Sequence, residues 1–194
     1  MLYAAVLAGG KSSRMGQNKA QLSLEGKTLL ERSVELLKSA GAEPVLISGL
    51  VDGYKSVPDL QPHSGPPGGL YSTLNYIRNS YGLDGSELVL IPVDMPLLKV
   101  ATIHKLLEAA TNATCCHYEG EVFPCVFKAT SELYCHLRDL YADGTELGGR
   151  RSMNAILNYF GAKVIQATTD QAEEFRNANT PEDWQDISLE FARN

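Results

Sequence analysis

Three runs in the first half of the chain are largely apolar: Leu2–Leu7, Pro44–Ser48 and Glu87–Pro92. Short apolar runs bounded by glycine, proline or polar residues are the pattern of strands buried on both faces. Between them the spacing changes to that of helices. Leu29, Leu30, Val34 and Leu37 fall on one helical stripe, with Thr28 placed to cap it and Gly41 to stop it. The same reading predicts a second helix over Gly69–Asn79 and a third over His104–Ala110. This alternation predicts an α/β fold, a mostly parallel sheet with helices on both faces.

The second half is patterned differently. Thr114–Tyr118 and Glu121–Lys128 predict two strands joined across Glu119-Gly120. Helices are expected over Ser131–Ala142 and Arg151–Tyr159, then a strand at Lys163–Ala167. A last helix is expected to start at Thr180-Pro181-Glu182-Asp183, where threonine caps, proline suits the first turn and the acids favour the helix N-terminus. No repeat, low-complexity tract or linker divides the chain. The expectation is one domain over residues 1–194, with a first half of 1–110 and a second of 111–194.

Composition narrows the classes of function. A hydrophobic fraction of 44% and a charged fraction of 21% are those of an ordinary globular protein. A net charge of -6 argues against a nucleic-acid partner, which calls for a basic face. The N-terminus lacks a basic region followed by a long apolar run, and no apolar stretch is long enough to span a bilayer. A cytoplasmic protein without a membrane partner is expected. Cys115, Cys116, Cys125 and Cys135 form no C-x-x-C, and His117 beside Cys116 lacks the paired spacing of a zinc site. They read as reduced core thiols, and His63, His104 and His136 as scattered polar residues.

Against this acidic background one segment is cationic. Residues 7–19, Leu7-Ala8-Gly9-Gly10-Lys11-Ser12-Ser13-Arg14-Met15-Gly16-Gln17-Asn18-Lys19, hold three glycines, three cations and no acid. Glycines let backbone N–H groups close around a ligand without an intervening Cβ. A basic glycine loop on an acidic protein points to a small polyanion, a nucleotide phosphate chain. The loop follows the first strand, which puts it at the carboxyl edge of the sheet, where open α/β folds bind ligands. It is not a P-loop, because the leading glycine of that motif would fall at Ala5, and no G-x-G-x-x-G occurs.

Other segments carry candidate chemistry on the same edge. The run Leu88–Met95 ends a buried strand in one carboxylate, Asp94, with Pro92 and Pro96 on either side. Mg²⁺ is usually held by one or two carboxylates while it touches substrate phosphates, which makes Asp94 a candidate ligand. Gly65-Pro66-Pro67-Gly68-Gly69-Leu70 leads into the second helix and could set backbone groups against a base or ribose. Gly148-Gly149-Arg150-Arg151-Ser152 carries an adjacent arginine pair. It reads either as a solvated face or as a bidentate clamp on a phosphate.

The pattern L-A-G-G-x-S-x-R-M-G-x-x-K at residues 7–19 resembles the signature of the MobA-like nucleotidyltransferases. Asp94-Met95-Pro96 is similar to the family's D-x-P, and Asn177-Ala178-Asn179-Thr180-Pro181-Glu182 to its N-x-N-T-P-E. Residues 65–69 are similar to its G-P-L-A-G, with Pro67-Gly68 where L-A is usual. Val57-Pro58-Asp59 resembles the family's acid after a short strand, and Ser48 stands where asparagine is frequent. The resemblance implies a three-layer Rossmann-like nucleotidyltransferase fold that moves GMP from GTP to molybdopterin with release of pyrophosphate. It implies that Leu7, Ala8, Gly9, Gly10, Arg14 and Lys19 hold the triphosphate, with Arg14, Lys19 and Asp94 catalytic. Ser48, Asp59 and Gly68 would take the guanine, where a carboxylate can accept from N1–H and N2–H₂. Asp94 and Asn179 would hold Mg²⁺ as cofactor, with Asn177 in support, and Arg150 or Arg151 would meet the acceptor phosphate. Proteins of molybdenum-cofactor biosynthesis or delivery would be further partners. Two alternatives remain: a cytidylyl- or sugar-phosphate nucleotidyltransferase with the same loop, and a nucleotide-binding regulatory domain without catalysis. Leu7-Ala8-Gly9-Gly10, rather than L-A-A-G, favours guanylyl transfer.

Overall fold

Leu2–Leu7 (β1) is the strand on which the rest of the sheet is built. In the computed structural model, residues 1–9, 19–51, 53–62, 64–142 and 151–191 are described. The expectations for Gly10, Arg14 and Arg150, and for His63, therefore lie outside the described residues. After β1 comes a small hairpin of Ser23–Leu24 (β2) and Lys27–Thr28 (β3), then Leu29–Ser39 (α1), Val45–Ser48 (β4) and Ser56–Val57 (β5). Gly65–Ser80 (α2), Glu87–Pro92 (β6) and Val100–Ala110 (α3) complete the first half. The second half adds Cys115–Tyr118 (β7), Cys125–Lys128 (β8), Ser131–Ala142 (α4), Met153–Tyr159 (α5), Lys163–Ile165 (β9), Thr169–Glu174 (α6) and Pro181–Phe191 (α7).

Seven strands form one sheet in the order β5-β4-β1-β6-β8-β7-β9, and β8 alone runs against the rest. The expected α/β class and mostly parallel sheet are both present. Pairing of β6 with β8 carries the sheet across the boundary between the two halves. Along β1, Ala4 and Val6 enter a core with α1, α3 and α7, while Tyr3, Ala5 and Leu7 enter a second with α2, α4 and α5. This alternation makes three layers and explains why β1 is apolar at every position: both of its faces are covered. The chain turns from β1 to β4 on one side and reaches β6 on the other, so the crevice at the carboxyl end of β1 is a topological switch point.

Several boundaries depart from the sequence reading. Helix α2 begins at Gly65, four residues earlier than expected, because Pro66 and Pro67 occupy its first positions, where a missing N–H costs nothing. Inside it, Gly68 and Gly69 permit close packing. A Cβ at Gly69 would lie 2.7 Å from Ser48 Oγ and 2.9 Å from Leu7 Cδ2. Strand β8 begins at Cys125 rather than Glu121, since the Glu121 N–H closes a turn on the Tyr118 carbonyl. Helix α1 matches the expectation, with a full capping box between Thr28 and Glu31 and Gly41 at φ 90° just beyond it.

Candidate active site

The ends of the parallel strands are tied together at the switch point. Ala8 donates its N–H to the Ser48 carbonyl over 3.2 Å, Val93 donates to the Leu7 carbonyl over 3.2 Å, and Gly49 to the Val57 carbonyl over 2.9 Å. These bonds bring Gly9, Ser48, Asp59 and Asp94 to one edge from four separate strands. Gly9 has no side chain where it is needed least: a Cβ there would sit 3.6 Å from Asp59 Oδ2 and 3.7 Å from the Ser48 carbonyl oxygen. Gly49, at φ +103°, backs directly onto Gly9 N at 3.3 Å from its own Cβ position. Ser48 itself is buried against α2, so its part in the rim is its backbone carbonyl.

Three sequence-distant side chains converge beside this edge. Lys19 Nζ donates to Asp94 Oδ2 over 2.8 Å and to Asn179 Oδ1 over 2.7 Å. Lys19 and Asp94 are partly shielded, with side chains 17% and 16% exposed. Asp94 stands where β6 leaves the sheet, and its carbonyl accepts the Ala178 N–H over 2.8 Å. Asn179 precedes the Thr180 cap of α7. The Asp183 carboxylate accepts from the N–H groups of Asn179 (3.2 Å) and Thr180 (2.9 Å), while Asp183 N–H donates back to Thr180 Oγ1 over 3.1 Å. These bonds, the Thr180 N–H first, hold the Asp183 carboxyl below the usual aspartate range. Asn177 turns away: its Nδ2 donates to the Phe175 carbonyl over 3.2 Å, which leaves Asn179 as the amide that faces Lys19.

Two oxygens that meet one cationic nitrogen form a cation site. Both are hard donors, one anionic and one neutral, and that set suits Mg²⁺, which takes few protein ligands and completes its shell with water and phosphate. Among the described residues there is no group of three or more His, Cys, Asp or Glu that could hold a metal by themselves. Asp94 and Asn179 would fill only part of such an ion's shell, the remainder coming from water and phosphate oxygens.

Arg151 donates from Nε to the Leu140 carbonyl over 3.0 Å, and its guanidinium carbon lies 5.2 Å from the centre of the Tyr141 ring. Tyr141 stacks on Tyr71 at 5.5 Å and reaches to 3.6 Å from a Cβ position at Gly68, so Arg151 belongs to the wall beside the first turn of α2. Cys115, Cys116 and Cys125 are buried, and burial raises the thiol pKa of each, that of Cys115 to about 11. They are neutral core side chains. A cavity of about 460 Å³ lies behind the loop of residues 95–99, between α1, α6 and α7, and its lining includes none of Lys19, Asp94 or Asn179. Among the described residues no helix is long and apolar enough to cross a membrane. Ala178 and Asp183 were not singled out as site residues by the sequence. Ala178 acts through its backbone, and Asp183 looks like an ordinary acid in a first helical turn.

Residues 4–169 match the family described as the MobA-like NTP transferase domain. The chain is 38% identical over 179 residues to the molybdenum cofactor guanylyltransferase of Xanthomonas euvesicatoria, covering 92% of this chain and 90% of that protein. Among solved structures, molybdopterin-guanine dinucleotide biosynthesis protein A from Archaeoglobus fulgidus superposes with a TM-score of 0.75 at 19% identity, over 100% of both chains. The 2-C-methyl-D-erythritol 4-phosphate cytidylyltransferase from Thermus thermophilus does so at 0.67 and 15%, also over 100% of both. At those identities the two structures share the fold.

Proposed function

The chain belongs to the MobA-like NTP transferase family, and from that premise we propose that it transfers GMP from GTP to molybdopterin and releases pyrophosphate. The observation that carries this reading is the meeting of Asp94 and Asn179 oxygens on one cation at the carboxyl edge of the sheet. An oxygen of the acceptor's terminal phosphate attacks the α-phosphorus of GTP. The new O–P bond forms as the bond to the β-phosphate bridge breaks, and pyrophosphate leaves with the electron pair. A phosphate nucleophile is already ionised near neutral pH, so no general base is required. Positioning and charge stabilisation then account for the rate.

Each residue has a role in that account. Backbone at Ala8 and Gly9 would approach the triphosphate, and Lys19 would supply positive charge against it; Gly10 and Arg14 share these roles by the family resemblance alone. Asp59 accepts from guanine N1–H and N2–H₂ next to Gly9, with Gly68 in the adjoining wall. Asp94 and Asn179 would hold Mg²⁺, which when bound would neutralise phosphate charge and polarise the α-phosphorus. Arg151, held beside α2, or its neighbour in sequence, Arg150, would meet the acceptor phosphate. Neutral, reduced core thiols accord with a cytoplasmic site of action.

Thermal stabilisation by GTP, CTP, ATP and UTP, each with Mg²⁺, tests the base, because a selective ligand raises stability by mass action. GTP is expected to stabilise most, and molybdopterin with GTP to release pyrophosphate. Stabilisation by CTP in place of GTP would make the chain a cytidylyltransferase. GTP binding without pyrophosphate release would make it a regulatory domain.

A further inference from the structure

Helix α6 buries one residue, and that residue is an acid. Glu174 is 5% exposed. Its Oε2 accepts the Lys99 N–H over 3.1 Å and the Thr102 hydroxyl over 2.6 Å, and its Oε1 lies 3.4 Å from Lys99 Nζ. Lys99 is the N-cap of α3 and makes no side-chain capping bond of its own. Glu174 therefore caps α3 from a helix more than 70 residues away in sequence, and its charge faces the positive end of the helix dipole. A serine or aspartate at position 99 would accept from N–H groups further into the first turn of α3. What a local cap would not provide is a tie between two segments.

Those segments are the ones that carry the cation site. Asp94 lies just before the loop that ends at Lys99, and Asn179 follows Glu174 by the same interval. The two stretches run side by side in opposite directions. They are fastened at one end by Ala178 N–H on the Asp94 carbonyl (2.8 Å) and at the other by Glu174 on Lys99. Between the two ties, Met95 and Leu98 are buried on one segment, and Phe175 on the other packs on Tyr118 at 4.8 Å. We infer that Glu174 is a positioning residue that fixes the separation of the Asp94 and Asn179 oxygens and so sets the affinity of the site for its divalent cation. The inference rests on the reading that these two residues hold the ion.

Mn²⁺ binding to the nucleotide-free full chain, followed by electron paramagnetic resonance, tests it apart from turnover. Outer partners that orient metal ligands are typically worth ~10–100-fold in metal affinity. Glu174→Ala is expected to weaken Mn²⁺ by ~10-fold or more and to raise the Mg²⁺ needed for half-maximal turnover by a like factor. Glu174→Gln keeps an acceptor oxygen and is expected to restore most of that loss. Thr102→Val removes one donor at nearly constant volume and is expected to give a smaller loss in the same direction. It decides the matter if Glu174→Ala does not fold. Glu87→Gln, which breaks the ion pair with Lys128 at the opposite end of β6, should lower the melting temperature and leave Mn²⁺ affinity as it is. Parental Mn²⁺ affinity in Glu174→Ala and Thr102→Val, or an equal loss in Glu87→Gln, would overturn the inference. Asp94→Asn separates the two levels of failure. If it weakens Mn²⁺ while the Glu174 series does not, Glu174 is structural only; if it binds Mn²⁺ normally, the metal assignment itself fails.

Discussion

The ammonium of Lys19 sits 2.8 Å from the carboxylate of Asp94, the residue proposed to hold the metal. On the proposed reading, a divalent ion held by Asp94 and Asn179 would compete with the Lys19 ammonium for these oxygens. On the proposed function, the displaced ammonium would turn to the charge of the triphosphate. Lys19→Met keeps the length of the stem and removes the charge. Its nucleotide-free Mn²⁺ affinity is expected to equal or exceed the parent's, while turnover falls by ~10²-fold through lost charge stabilisation. Asp94→Ala is expected to lose both. Weaker Mn²⁺ binding by Lys19→Met would show instead that the ammonium supports the site.

Asp59 stands next to Gly9, with Oδ2 3.6 Å from where a Cβ would be. On the proposed function, its carboxylate would offer two acceptors to a base that presents two donors. Asp59→Asn replaces one acceptor with an amide that meets those donors as like against like. Hydrogen bonds to a charged group are worth about 1.5–3 kcal/mol, so KM for GTP should rise by roughly 10- to 100-fold with kcat changed less. Steady-state kinetics with GTP and ATP would check this. An unchanged preference for GTP would move base selection to another residue.

Gly49 joins backbone conformation to the nucleotide edge. At φ +103° a side chain is strained, and its Cβ would press on Gly9 N at 3.3 Å. Gly82, at φ +87° beyond α2, has open space around its Cβ position. Alanine at either position is expected to cost about 1–3 kcal/mol of stability from strain. Gly49→Ala alone should also weaken GTP binding, because only there does the new atom displace the loop. Calorimetric unfolding and GTP titration of both variants would separate strain from displacement. Equal GTP affinity in the two would remove Gly49 from the site.

How far the sequence reveals this architecture depends on where the information lies. β1, β6 and α4 have the predicted bounds, because apolar residues on both faces of a strand, or on one stripe of a helix, are written locally. The start of α2 was obscured by Pro66-Pro67, which signals a turn as readily as a first helical turn. The hairpin β2–β3 is too short to show a period, and α6 is a six-residue helix with no apolar stripe. In the site, Asp94 follows from its position at the end of a strand. Its pairing with Asn179 came through the family resemblance, since no spacing rule links residues so far apart. Glu174 was illegible for the same reason: its partners lie on α3, and nothing within α6 marks the acid as buried.

Asp183 joins the α7 cap to Asn179, and that link should depend on pH. Its carboxylate accepts from the N–H groups of Thr180 and Asn179, which lowers its folded-state pKa below the ordinary value. A depressed pKa stabilises the fold above the unfolded value, about 3.9 for aspartate, and that contribution is lost as pH falls through the folded one. Asp183→Ala should therefore melt lower than the parent at pH 7, with the gap closing as the pH drops below about 4. The same substitution leaves the Asn179 N–H only its bond to the Asn177 carbonyl, so Mn²⁺ affinity at pH 7 should fall with it. Melting curves of both proteins between neutral and acid pH, beside Mn²⁺ titration, would check the two effects together. A gap that persists undiminished at acid pH would assign the loss to helix packing and leave the carboxylate without its role.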